Sequence, residues 1–95
     1  MELLLEWDEN KNAVNIKDHH IDFCDAWMIF ENPMLKKKDS RKDYGEERWV
    51  ALGKLQQLTV VTVYTHRKDK VRIISIRRAN RYERKIYETY CQKQN

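Results

Sequence analysis

Three features of the sequence predict an α+β fold: a small antiparallel sheet of three to four strands, two N-terminal helices and one C-terminal helix. The first is the β-branched run Thr59-Val60-Val61-Thr62-Val63-Tyr64-Thr65. The second is helix punctuation near both ends of the chain, with Asp8 and Asp22 early and Asn80 followed by Glu83 late. The third is the brevity of the Gln56-Gln57 and Arg67-to-Lys70 connections, which favours antiparallel hairpins.

Taken in order, Leu3-Leu4-Leu5 runs into Glu6-Trp7 as a first strand. Asp8 caps a helix over about 9–18, because its carboxylate accepts the orphan amides of the first turn, and His19-His20 ends it. Asp22 starts a second helix over about 23–31. There Phe23, Ala26, Trp27 and Phe30 fall at i, i+3, i+4 and i+7 as a core stripe, and Asn32-Pro33 stops it. Residues 36–45 are the most polar segment, a loop framing an edge strand. Strands are expected over Arg48–Leu55, Leu58–His66 and Val71–Arg78. A last helix over about 80–92 opens on the capping box of Asn80 and Glu83 and buries Ile86, Tyr87 and Tyr90.

With 95 residues there is room for one domain and one modest core. Apolar residues make up 41% and charged residues 36%, with two glycines and one proline, which excludes collagen-like, Pro/Gly-rich disordered and disulfide-scaffold classes. No apolar run approaches the roughly 20 residues of a membrane span. The opening MELLLEWDE lacks a basic n-region, so a cytoplasmic protein is expected, with no membrane partner. Cys24 and Cys91 read as reduced packing residues. His19 and His20 stand near Cys24 without further ligands at metal-binding spacing, so no metal and no cofactor are expected.

Charge is unevenly spread. Residues 1–35 hold Lys11 and Lys17 against eight acids, whereas residues 66–85 hold nine bases against Asp69 and Glu83. A tract this basic collects a polyanion by counterion release; the plainer alternative is a solvated basic face. A DNA-binding regulator is the weaker reading, since no recognition-helix pattern appears.

A set of ordered motifs resembles the BrnT family of ribonuclease toxins. Trp7, Asp8, Lys11 and Asn15 match its Trp-Asp-x-x-Lys-x-x-x-Asn opening. His19, Ile21 and Phe23 follow the next pattern, with Asp18 in place of a usual base and His20 in place of a usual glycine. Asn32-Pro33, Glu46-Glu47-Arg48 and Gly53 come next, then Arg72-Ile73-Ile74-Ser75-Ile76-Arg77, with Ile76 where alanine is usual. Ala79, Glu83, Arg84 and Tyr87 complete the match over residues 6–88. The resemblance implies a RelE-like toxin fold and metal-independent RNA cleavage that inhibits growth. It also implies neutralisation by a cognate BrnA-like ribbon-helix-helix antitoxin. That partner is expected in a 2:2 heterotetramer, with DNA bound only through the antitoxin. The alternative is a non-catalytic RNA- or protein-binding module that keeps the fold.

Cleavage through the 2′-hydroxyl needs a proton acceptor, a stabiliser of phosphorane charge and a proton donor for the leaving oxygen. The candidate catalytic residues are Arg77, Arg72, His66 and Tyr64. Arginine suits phosphate because its planar fork makes paired bonds. Strand alternation puts Tyr64 and His66 on one face and Arg67 on the other; it groups Arg72, Ile74, Ile76 and Arg78, with Arg77 opposite beside Ser75. Arg77 reads either as a phosphate ligand or as a scaffold partner of Glu83 or Glu47. Arg67, Arg78, Arg81, Arg84 and Lys85 are candidate RNA contacts, the last three as solvated helix charges. His19 is either a proton carrier or a helix-end cap, Glu46 and Glu47 read as partners of Arg48, and Trp7 as core.

Overall fold

The computed structural model describes residues 3–94. It runs β1 (Leu4–Trp7), α1 (Glu9–His19), a 3-10 turn (Phe23–Asp25), α2 (Trp27–Phe30), β2 (Leu35–Lys38), β3 (Arg48–Leu55), β4 (Leu58–Arg67), β5 (Lys70–Arg78) and α3 (Arg81–Lys93). The strands form one five-stranded sheet in the order β1-β5-β4-β3-β2. β2 to β5 are successive antiparallel neighbours, but β1 joins β5 in parallel, Leu4 opposite Lys70 and Trp7 opposite Ile73. This corrects the expected purely antiparallel sheet of three to four strands. The parallel pair closes a contact across 66 residues between Glu6 and Arg72, which no local pattern encodes. Edge strand β2, Leu35–Lys38, takes in the first three residues of the polar segment, Lys36 to Lys38.

Local chemistry sets the helix ends. Asp8 Oδ1 accepts the N–H groups of Asn10 and Lys11 at 2.8 and 3.1 Å. Asn80 and Glu83 form a reciprocal capping box at 2.8 Å in each direction. α1 ends on His20 in the left-handed region, φ 59°, where its N–H reaches the Ile16 carbonyl. A side chain here crowds the following carbonyl and costs roughly 1–2 kcal/mol. His20→Gly is therefore expected to stabilise the protein by about 1 kcal/mol, less the greater freedom of glycine in the unfolded chain. In a thermal melt this appears as a rise of several degrees; an unchanged or lower Tm would show that the imidazole offsets its own strain.

The second N-terminal helix is shorter than expected. Asn12 Oδ1 accepts the Phe23 N–H at 2.8 Å and its amide donates to Asp22, which itself caps Cys24. These bonds hold Phe23–Asp25 as a 3-10 turn and leave only Trp27–Phe30 as α-helix. The stripe rotates accordingly: Phe23, Ala26 and Ile29 are fully buried, while Trp27 is 48% exposed.

One face of the sheet carries the core. Ala51 and Leu55 of β3, Val60 and Tyr64 of β4, and Val71, Ile73 and Ile76 of β5 pack under Ile21, Phe23, Ala26 and Ile29. Each fully buried large side chain contributes about 1.5–3 kcal/mol. α2 rests on β3 at Gly53, where an added Cβ would stand 2.7 Å from Ile29 Cγ2. Gly53→Ala is expected to lift α2 and destabilise by about 1–3 kcal/mol, read from the denaturant midpoint. A midpoint unmoved by the extra methyl would mean that α2 is not seated on this strand. At the far end Tyr87, 3% exposed, donates its hydroxyl to the Pro33 carbonyl at 2.8 Å and ties α3 to the segment before β2. Cys24 is exposed and Cys91 half-buried, both free thiols, so only Cys91 fits the packing role expected for the pair.

Candidate nucleic-acid interface

Alternation along β5 breaks in the middle. Val63 of β4 pairs with Ser75, yet the next residue, Tyr64, pairs with Ile73, so Ile74 is an extra residue, a β-bulge. Val71 and Ile73 face the core before it, and Ile76 after it. The bulge therefore turns Ser75 and Arg77 onto the face that Arg72 already occupies. The expected opposition of Arg72 and Arg77 is corrected, and their juxtaposition arises from one inserted residue.

Register fills in the rest of that face. Arg48, Thr65, Arg72 and Glu6 form one row across β3, β4, β5 and β1. Arg67 and Lys70 form the next row, two residues toward the β4–β5 hairpin. Five bases, Arg48, Arg67, Lys70, Arg72 and Arg77, thus share one side of the sheet.

Each is held by a carboxylate. Glu46 accepts from Arg48 at 3.1 Å and from Arg67 at 3.0 Å. Glu6 accepts from Arg72 at 2.9 Å and lies 3.9 Å from Lys70. Arg77 makes a two-pronged pair with Glu83 at 2.9 and 2.8 Å and also donates to the Arg78 carbonyl at 3.2 Å. Glu83 is the acid of the α3 capping box, so helix start and arginine position are set by one side chain. Arg41 makes the same kind of pair with the buried Asp39 at 2.8 Å twice. Arg48 also lies over the Tyr44 ring, 4.2 Å from its centroid.

These contacts favour the charged forms of Glu46, Glu83 and Asp39. Burial pushes Glu46 up, but the hydrogen bonds from Arg48 and Arg67 outweigh it and hold it below the usual carboxylate range. The Arg77 guanidinium lowers Glu83, and that of Arg41 holds Asp39 down to about 2. The bases keep appreciable exposure, 43% for the Arg77 side chain, 49% for Arg67 and 26% for Arg72. Carboxylates orient these forks without covering them.

Tyr64 and His66 do share a face, as alternation predicts, but it is the core face, opposite the arginines. Tyr64 is 2% exposed, edge-on to Phe30 at 5.2 Å and to His66 at 5.8 Å. Burial pushes its phenol upward. His66 is exposed at the strand end. Arg78, Arg81, Arg84 and Lys85 are exposed around the β5–α3 junction, Arg84 donating to the Ala79 carbonyl at 3.2 Å. The structure brings Arg67, Arg72 and Arg77 onto one face and leaves His66 and Tyr64 on the other. Sequence reasoning missed Arg48 and Lys70 as members of the set, and Glu6 as the acid that organises half of it. Arg48 stood in the Glu-Glu-Arg motif and Lys70 in the basic tract, but their common face follows only from strand register.

Three motif residues have structural work. Asp8 caps α1, and Trp7 donates to Glu9 and packs edge-on to Phe23 at 6.4 Å, in agreement with its core reading. Asn15 bonds the backbone of Ile76 through both ends of its amide, Ile76 N–H to Oδ1 at 3.1 Å and Nδ2–H to the Ile76 carbonyl at 2.8 Å. His19 is exposed at the end of α1. Among the described residues no three His, Cys, Asp or Glu side chains converge as a metal-ligand group.

The fold is thus an α+β domain whose mixed sheet carries a face of arginines oriented by carboxylates. The chain is a member of the BrnT family, whose model, described as the ribonuclease toxin, BrnT, of type II toxin–antitoxin systems, matches residues 7–83. No curated protein matches the chain closely enough to stand beside it as a relative. Family membership brings with it a ribonuclease activity, an RNA substrate and an antitoxin partner. Among the described residues no helix is long and apolar enough to cross a membrane.

Proposed function

We propose that the chain is a cytoplasmic endoribonuclease toxin that cuts RNA without a metal and so arrests growth. One observation carries this reading: the bulge at Ile74 places Arg72 and Arg77 on one face with Arg48, Arg67 and Lys70. A phosphate arriving there exchanges with the carboxylates for the arginine forks. Arg72 and Arg77 then hold its non-bridging oxygens and meet the charge that grows on them as the 2′-oxygen attacks phosphorus.

Glu6, displaced from Arg72 by that phosphate, stands on the same face and takes the 2′-hydroxyl proton. The bond to the 5′-oxygen breaks, the 5′-oxygen takes a proton from water, to which Glu6 returns the one it removed, and the products are a 2′,3′-cyclic phosphate and a 5′-hydroxyl. Tyr64 is a packing residue in this reading, and His66, across the sheet, is outside the catalytic set. Arg67, Arg78, Arg81, Arg84 and Lys85 attract the RNA backbone without choosing its sequence.

An active toxin needs restraint, and an acidic segment of a BrnA-like ribbon-helix-helix antitoxin covers the arginine face, which its own carboxylates orient but leave open. The complex is a 2:2 heterotetramer joined through the antitoxin's dimer, with DNA bound by the antitoxin alone. The alternative, a non-catalytic binding module, draws on the fact that every arginine named on this face already has a carboxylate partner. Expression of the chain alone should arrest growth, and co-expression of the adjacent small gene should restore it. Light scattering of the co-purified complex should give the 2:2 mass. Normal growth on expression of a soluble, folded chain would favour the alternative.

A further inference from the structure

β1 pairs with β5 only over Lys70–Ile73, so beyond Ile73 the outer rim of β5 is open and α1 lies along it, joined by Asn15. Between them is an open groove of about 360 Å³. Val14, 58% exposed, and Ile74 supply apolar wall, while Asn10, Lys11, Asp18 and His19 supply polar ends. Lys11, Val14 and Asp18 fall at i, i+3 and i+7, one face of α1. Asn10 and Lys11 use only their backbone N–H groups, in the Asp8 cap. Their side chains, with those of Asp18 and His19, have no protein hydrogen-bond or ion-pair partner among the described residues. On the arginine face, by contrast, each arginine already has a carboxylate partner, so these unspent donors and acceptors mark the groove.

The groove also meets that face. Ser75, at its edge, lies on β5 between Arg72 and Arg77, about 7 Å along the strand from Arg77. A flat ring against Val14 and Ile74 would have its own phosphate over the β5 rim, within the arginines' reach.

We propose that this groove seats an unpaired guanine beside the scissile phosphate, Asp18 accepting its N1–H and N2–H and Lys11 donating to its O6. The inference rests on the ribonuclease reading above and adds a base preference to it. Guanine alone among the four bases offers two adjacent donors that a carboxylate accepts as a pair. On cytosine and adenine the single amino donor adjoins a ring nitrogen lone pair, and on uracil the lone N–H is flanked by carbonyls; each repels the second carboxylate oxygen. Single-stranded RNA bases are read on these edges.

The probes are four trinucleotides, UGU, UAU, UCU and UUU, fully 2′-O-methylated so that they cannot be cut, titrated into 15N-labelled protein. UGU is expected to move the amides of Val14, Asp18 and Ile74 and to bind at least about tenfold more tightly than the other three. Asp18→Asn, confirmed as folded by circular dichroism, should bring UGU to the level of UAU. Equal binding of all four by the wild type, a preference that survives Asp18→Asn, or shifts that bypass α1 would overturn the assignment. Because the probes are inert, this result does not depend on cleavage. Incubation with unmodified UGU tests the nuclease reading separately, and its survival would overturn that reading while leaving the groove's selectivity as measured.

Discussion

Asn15→Leu is expected to remove about 3–5 kcal/mol of stability. The Asn15 carboxamide is 5% exposed and satisfies three buried backbone groups, the Ile21 carbonyl at 3.0 Å and both the N–H and the carbonyl of Ile76. In effect it continues the β-ladder where β1 ends, giving the open rim of β5 the partner that a longer first strand would have supplied. Leucine keeps the volume and leaves all three groups unpaired, at roughly 1–3 kcal/mol for each, softened where water enters from the groove. Against the ~5–15 kcal/mol typical of a domain, this is a large share. Urea unfolding should show the midpoint falling at constant slope. A loss below about 1 kcal/mol would mean that α1 does not seal this rim.

Legibility in the sequence followed the range of each interaction. The Asp8 cap, the Asn80–Glu83 box and the hairpins around Gln56-Gln57 and Arg67-to-Lys70 are local, and each forms as its residues predict. The left-handed His20 stands where the family resemblance puts a usual glycine, the residue best suited to that conformation at a helix end. The parallel docking of β1 on β5 was not, because nothing in Leu4–Trp7 names a partner some 66 residues away. The second helix shortened because Asn12, in a different element, holds its first turn.

The site failed at a single residue. Strict alternation separates Arg72 from Arg77, and the inserted Ile74 reunites them. Bulges of this kind carry no glycine or proline to announce them here, so Arg67, Arg72 and Arg77 were legible as candidates, while their common face, with Arg48, Lys70 and Glu6 on it, was not.

Arg72→Ala is expected to lose most of the activity. Removal of a preorganised donor to the phosphorane oxygens typically costs about 10²–10³ in rate. Folding should change by no more than about 1 kcal/mol, since the Arg72–Glu6 pair is partly exposed and such pairs are screened. Arg72→Lys keeps the charge and loses the fork, so an intermediate rate is expected. Glu6→Gln should slow cleavage by about 10²–10⁴ while leaving RNA binding, because it removes the proton acceptor and no cation. An unfolded Arg72→Ala, or one with wild-type activity, would assign the Arg72–Glu6 pair to the scaffold.

In the function proposed above, the arginine face built by the Ile74 bulge cuts RNA through the 2′-hydroxyl. Its most direct test is digestion of a defined single-stranded RNA in excess EDTA by the purified wild type and by Arg72→Ala, with the product ends identified by mass spectrometry. The expected result is a 2′,3′-cyclic phosphate and a 5′-hydroxyl from the wild type, with Arg72→Ala folded but at least about a hundredfold slower. Intact RNA, cleavage that EDTA abolishes, or equal rates for the two proteins would contradict it.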